Sequence, residues 1–248
     1  MSLFISSVFT YDEDAGNYIQ AVEAADTQAL EPATRKAINN FVIGCKQDGI
    51  WTAIKASCIL AGARTLAGAL VPLVGTAPTN NNFVSGDYNR TTGLEGGTAG
   101  KTLNSNRNNN ADPQDNNHNA VYPTFTNVNS PFMGTQVNVT GANAMFAGAT
   151  RNRNATNVAW PATATANALI GHSRSSSANY TQRANGASTL STQTSETPQN
   201  ANVTVFGYTG ATTIASRLAF YSIGESLDLA LLDARVTDLI NAFAVTIP

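Results

Sequence analysis

The apolar positions of this chain change period along its length. In EPATRKAINNFVIGCKQDG, Ile38, Phe41, Val42 and Cys45 recur at helical spacing, Pro32 suits a first helical turn, and Gly49 stops the run. A second helix is expected over residues 50–60, with Trp51, Ile54, Cys58 and Ile59 inward, so that residues 31–61 read as a helical hairpin. Beyond Gly62 the pattern shortens. Residues 69–74 read as a strand that Pro72 confines to an edge or end. Short strand pieces follow at residues 88–94 and 101–103. Residues 120–125, 136–139, 144–146, 166–170, 176–183, 188–192 and 202–208 then each support a strand, with polar turns such as TGAN, RANG and TPQN between them. Many short strands at close intervals are the mark of a sandwich or barrel. Residues 104–119 offer almost nothing apolar to bury and are expected to form a long surface loop.

The period returns to that of a helix at the end of the chain. In SIGESLDLALLDARVTDLINAF, Ser222 and Glu225 have capping-box spacing, and Leu229, Leu232, Val236, Leu239, Ile240 and Phe243 share one face. This predicts an amphipathic helix over 224–243 that covers one flank of the β core, with Asp228 near its positive end. Residues 1–30 form an N-terminal extension or arm, with a short strand at 3–9. Residues 31–248 form one β-sandwich domain, since no linker divides them. The expected fold is therefore mainly β, a jelly-roll sandwich with an N-terminal helical hairpin and a C-terminal helix.

Composition narrows the function. Of the 248 residues, 42% are hydrophobic but only 12% are charged, so neutral polar side chains must cover the surface. A net charge of -2 gives no clustered basic face for nucleic acid, and Arg151 with Arg153 is too small a patch to supply one. The same weak charge leaves little repulsion between copies. No apolar run suits a membrane span, and the opening MSLFISSVFTYDEDAG lacks the basic and apolar regions of a secretory signal. The N-x-T triplets at Asn89, Asn138, Asn154, Asn179 and Asn202 follow from an Asn- and Thr-rich composition. Cys45 and Cys58 lack metal-ligand spacing and read as small buried hydrophobes, with a disulfide between them as the alternative.

Enzyme signatures are missing: there is no GxSxG elbow, no P-loop and no HExxH. His118 falls in the Asn-rich segment, where an exposed polar side chain is expected, and His172 reads as a turn or strand-end histidine. Asp87, Glu95, Asp112 and Asp115 are the carboxylates that glycan cleavage would need in facing pairs, but turn capping and solvation account for each. No enzyme and no cofactor is expected. The segment NSNRNNNADPQDNNHN is the best place for binding. Asn109, Asp112 and Asp115 could hydrogen-bond sugar hydroxyls or hold a calcium ion, and Tyr122, Tyr88 or Trp160 could offer a sugar an apolar platform. The alternative is that this segment packs against a neighbouring subunit or caps the sandwich edge. Trp51, Leu232, Val236 and Phe243 belong either to the core or to a subunit interface, and Trp160 is a further interface candidate.

Four stretches, IGCKQDGIWTAIKASCILAGA, VPLVGTAPTNNNFVSGDYNRTTGLEGG, NSNRNNNADPQDNNHNAVY and RLAFYSIGESLDLALLDARVTDLINA, together resemble a family of tailed-phage and prophage structural proteins. The resemblance runs from about residue 41 to 243. It implies a concanavalin A-like (laminin G-like) β-sandwich that resides in the virion and is made in the host cytoplasm. The implied role is a tail fibre, tail-tip or baseplate component. A capsid decoration protein and a carbohydrate-binding adhesin for the host surface are the alternatives. The implied partners are other virion proteins, further copies of the same chain and, for an adhesin, a host surface glycan. No catalytic residue and no calcium ligand transfers.

Overall fold

The computed structural model describes residues 10–97, 100–126, 131–136, 139–208 and 216–247. The strand expected at 3–9 lies outside them, as do two residues of the one expected at 136–139. Four helices and fifteen strands follow in order: α1 (Glu13–Asp26), α2 (Pro32–Gln47), β1 (Ile54–Ile59), α3 (Leu66–Ala69), β2 (Thr79–Asn81), β3 (Tyr88–Asn89), β4 (Gly93–Glu95), β5 (Thr102–Asn108), β6 (Asn117–Phe125), β7 (Pro131–Gly134), β8 (Asn143–Phe146), β9 (Ala149–Asn152), β10 (Val158–Ala159), β11 (Ile170–Arg174), β12 (Asn179–Ala184), β13 (Ala187–Thr192), β14 (Asn202–Val205), β15 (Arg217–Gly224) and α4 (Leu229–Thr246). They form a β-sandwich with helices packed on one side.

One sheet runs β13-β12-β11-β6-β15-β4-β3, with β1 also paired to β15; the other runs β10-β9-β8-β7-β14-β5-β2. Among the described residues the strand pairings are all antiparallel, and successive side chains point to opposite faces. In the first sheet both faces are covered. Val121, Tyr221 and Ile223 point toward the second sheet and meet Leu103, Phe132, Met145 and Val205. Ala120, Tyr122, Ala219 and Phe220 point the other way, into a second core made with α1, α2 and α4. The molecule thus has three layers, helix on sheet on sheet.

The helical layer differs from the sequence expectation in three places. Residues 54–59 are a strand, so the hairpin expected over 31–61 is half realised. Ile54, Cys58 and Ile59 fit a helical period, but the run is six residues long and pairs with β15 (Ala56↔Ile223, Cys58↔Tyr221, Ile59↔Phe220). A short apolar run carries no periodic signal that separates strand from helix. The partner of α2 is instead α1, whose Ala15, Tyr18, Ile19 and Val22 enter the same core. The segment expected to be an arm is therefore part of the packed body from Glu13 onward. Its small apolar residues are masked in sequence by the acids around them, which serve the helix start: Asp12 caps it by accepting from the Asp14 amide, and Glu13 and Asp14 occupy the first turn. Finally, residues 66–69 are a helical turn capped by Thr65, and the expected strand at 69–74 is reduced to a bridge between Ser57 and Val74.

The C-terminal helix begins later than expected. Ser222 and Glu225 form no capping box, because β15 continues through Gly224 and the Ser222 hydroxyl is engaged by His118. Asp228 is the cap, accepting from the amides of Ala230 and Leu231. The predicted apolar face is the buried one: Leu232, Val236 and Phe243 are fully buried within the chain, which removes them as subunit contacts. Two glycines permit this packing. A Cβ on Gly62, which has φ +88°, would lie 2.7 Å from the Phe243 ring, and one on Gly44 would lie 2.8 Å from Arg235. Arg235 then reaches Asp48 through two hydrogen bonds of 2.7 and 2.9 Å, tying α4 to the end of α2. Trp51 is half-buried beside this layer, and its indole donates to Asp14 at 3.1 Å.

Phe243→Ala should lower unfolding free energy by about 3–5 kcal/mol, the range for emptying a buried aromatic site. Urea unfolding would measure this, with an unchanged denaturant slope expected.

Candidate functional site

The Asn-rich segment is not a surface loop. Residues 102–108 and 117–125 are strands of the two sheets, joined by a connection of eight residues. The apolar alternation that would reveal them is absent because their inward side chains are polar. Asn117 and Asn119 on β6 lie opposite Arg174 and His172 on β11, and all four are buried. From the other sheet come Asn143, Thr150 and Asn152, also buried. His172 Nδ1 lies 2.5 Å from Thr150 Oγ1, and Arg174 Nε donates to Asn152 Oδ1 at 3.0 Å, so both contacts bridge the sheets. One part of the sandwich interior is therefore polar.

Two arginines organise it. Arg174, fully buried, donates to the carbonyls of Asn152, Ser176, Ser177, Asn179 and Gln193 at 2.9 to 3.3 Å and lies over the Tyr180 ring at 5.2 Å. Arg153, 1% exposed, donates to the backbone of Asn109 and Pro113 and to the Asn109 side chain. Each guanidinium thus holds turns that connect different strands. Burial lowers the Arg153 pKa to about 10, which leaves it protonated at neutral pH. Neither arginine was singled out as a site from sequence, where Arg153 was read as part of a weak basic patch. The signal that could have found it is an RNRN run beside strands that lack apolar alternation.

The residues expected to bind a ligand divide between this network and other places. Asn109, Asp112 and Asp115 do come close to the arginines, but they are already occupied. Asn109 accepts from Arg153 and Asn143 and donates to the Gly141 carbonyl, Asp112 pairs with Arg107, and Asp115 accepts from Ser195. The two aspartates do not converge on one point, and no group of three or more His, Cys, Asp or Glu suited to a metal ion occurs among the described residues. Tyr122 is buried on the opposite face of β6, under the helices, so it cannot serve as a platform. Trp160 is 8% exposed in the inter-sheet core, with its indole donating to the Phe146 carbonyl at 2.7 Å. The other carboxylates considered are ion-paired, Asp87 with Lys101 and Glu95 with Arg217.

Both histidines are fully buried, so the exposed position expected for His118 is not found, and His172 stands mid-strand in β11 rather than in the turn or strand end expected for it. His118 lies on β6 facing the helices, 2.7 Å from Ser222 Oγ and 2.5 Å from the Glu225 carbonyl. Burial lowers its pKa to about 4. His172 is depressed well below the usual imidazole value, by burial first and then by Arg174, His118 and Arg153. Cys45 and Cys58 are free and buried, and burial pushes both thiols up to about 12. Half-buried aromatics on the surface lie elsewhere: Phe146 and Tyr208 meet edge to face with centroids 5.6 Å apart, near Asn157, which accepts from Arg151 at 2.7 Å.

No protein-family profile matches this chain, and no curated protein is significantly similar to it in sequence. Solved structures share its outline distantly. A mutant of a protein designated HCR/D matches at 10% identity and a TM-score of 0.46, over 75% of this chain and 52% of its own. The binding domain of botulinum neurotoxin DC, in complex with SialylT, matches at 12% and 0.37, over 67% and 44%. A Trypanosoma rangeli sialidase matches at 8% and 0.41, over 93% and 38%. The chain therefore spans about half or less of the length of these proteins.

Stability should fall between neutral pH and about pH 4. An unfolded histidine binds a proton near 6.5 and the folded His118 only near 4, so across that window the unfolded state holds more protons and acid favours it. His118 alone accounts for a loss of about 3 kcal/mol, and His118→Gln should flatten the profile in urea titrations from pH 7 to 4.5. Arg174→Met should destabilise by about 3 kcal/mol by removing the donor of the buried Asn152 carbonyl and of four part-buried ones. It should also make residues 175–178 and 193–196 sensitive to limited proteolysis.

Proposed function

We propose that this chain is a non-catalytic structural component of a tailed-phage virion, a rigid sandwich module of a tail fibre, tail tip or baseplate. The observation that carries the reading is the arginine-held interior: Arg153 and Arg174 bind the backbone of three connecting segments, which fixes the surfaces the module presents. The resemblance of the sequence to tailed-phage structural proteins supports the particle assignment, and the pairing of Asp87, Glu95, Asp112 and Asp115 with their own neighbours supports a role without catalysis. Capsid decoration would use the same rigidity at another place on the particle. Antibody labelling of intact particles of the phage that encodes the chain, viewed by electron microscopy, tests the proposal. Label at the tail extremity is expected. Label spread over the head would move the assignment to decoration, and a particle without label would overturn it.

A second reading, a glycan-binding adhesin, is favoured by the Phe146 and Tyr208 pair beside Asn157. Half-buried rings next to a carboxamide suit one face and one hydroxyl of a sugar. If this reading holds, binding in a glycan array is lost in Tyr208→Ala and kept in Asp112→Asn.

A further inference from the structure

We propose that β13 is a self-association edge, through which two copies of this chain join by antiparallel pairing of β13 with β13 about a two-fold axis. The other open sheet ends are short, and the outer side of β1, which has six residues, is met by the bridge of Ser57 with Val74. β3 and β10 have two residues each and β2 has three, lengths that give an incoming strand little to pair with. β13 has six, and it pairs with β12 from Ala184↔Ala187 to Asn179↔Thr192 without a bulge. Its sequence, ASTLST, contains no charge and no proline, so none of the usual devices that blunt an edge is present. Opposed residues in an antiparallel ladder alternate in bonding, so every second residue of β13 directs its N–H and C=O away from β12. Among the described residues no backbone hydrogen bond reaches that side.

The side chains of the edge suit a second copy better than an unrelated strand. Leu190, at 62% exposure, is one of the most exposed large apolar residues among those described, and it lies in the middle of this polar edge. A two-fold axis centred on Leu190 places it against its own symmetry mate, with Ser188 opposite Thr192 on either side. The pair gains an apolar contact at the centre and hydroxyl contacts at the flanks. Thr181, Ser188, Leu227, Leu229 and Ala230 line a shallow depression on the same face, into which the joined strands extend. Asp228 also lines this depression, its carboxylate accepting from the Ala230 and Leu231 amides, and Arg183 beside the edge pairs with Asp233 at 2.7 Å. Such pairing is isologous: each copy uses its one edge, and assembly stops at two.

Sedimentation velocity of the full chain at micromolar concentration tests the proposal, with far-ultraviolet circular dichroism and melting as controls for folding. The expected result is a dimer that Leu190→Lys weakens by about tenfold or more, because like charges then stand directly opposite. The melting profile of the variant monomer should match that of dissociated wild type. Leu190→Cys should form a covalent dimer on mild oxidation, whereas Val245→Cys, at an 86% exposed position at the other end of α4, should not. A wild type that stays monomeric, or a dimer that survives Leu190→Lys, overturns the proposal.

Discussion

The pairing of β15 with β6 underlies every layer of the molecule. These strands sit at the centre of a sheet that is covered on both faces, so each must satisfy two environments at alternate residues. Tyr221 and Ile223 face the second sheet, while Phe220 faces the helices and Ser222 meets His118 there. A one-residue slip would exchange the two sets, turning Ser222 toward the second sheet and Tyr221 toward the helices. Burying roughly 1.5–3 kcal/mol of transfer energy per large apolar side chain on each face makes that slip prohibitive. The position of α4 follows from this register, because Asp233 accepts from the Leu169 amide and pairs with Arg183, both on the neighbouring strands or their approach.

The same sheet explains which parts of the fold were legible in sequence. The face of α4 was readable because Leu229, Leu232, Val236, Leu239, Ile240 and Phe243 have one wet side opposite them, which gives a clean helical period. Strands β12 and β13 were readable from the Asn185-Gly186 turn between them, where both residues have positive φ. β1 was not, because five of its six residues are buried and a strand buried on both faces loses its alternation. α1 was hidden for a different reason: its stripe is short, Ala15, Tyr18, Ile19 and Val22, and it lies next to the acids Glu13 and Asp14.

The candidate site was the least legible part, and the cause lies in an ambiguity of asparagine. A run such as NSNRNNNADPQDNNHN has the composition of a solvated loop. Its side chains can equally line a strand that faces a polar interior, provided a partner supplies the donors that water would have supplied outside. Within the run Arg107 pairs with Asp112, while Arg153 supplies them from a distant part of the sequence, 44 residues from the Asn109 it holds. Nothing local marks such pairing.

Polar interiors are costly, and what this one supplies is geometry. An apolar core of the same volume would be at least as stable, because dehydrating a guanidinium offsets much of what its hydrogen bonds return. It would not, however, fix turns. Hydrophobic contact is nearly indifferent to direction, whereas Arg174 meets five backbone carbonyls from one planar group, and moving any one of those segments breaks a bond to a buried guanidinium. A protein whose task is to present fixed surfaces to other molecules gains from that trade, and an enzyme that must open and close around a substrate does not. The surface charge complements it: with 12% charged residues there is little long-range repulsion to hold neighbours apart, so shape and short-range hydrogen bonding decide what associates. Rigidity inside and neutrality outside are the two physical conditions for repeated, close assembly.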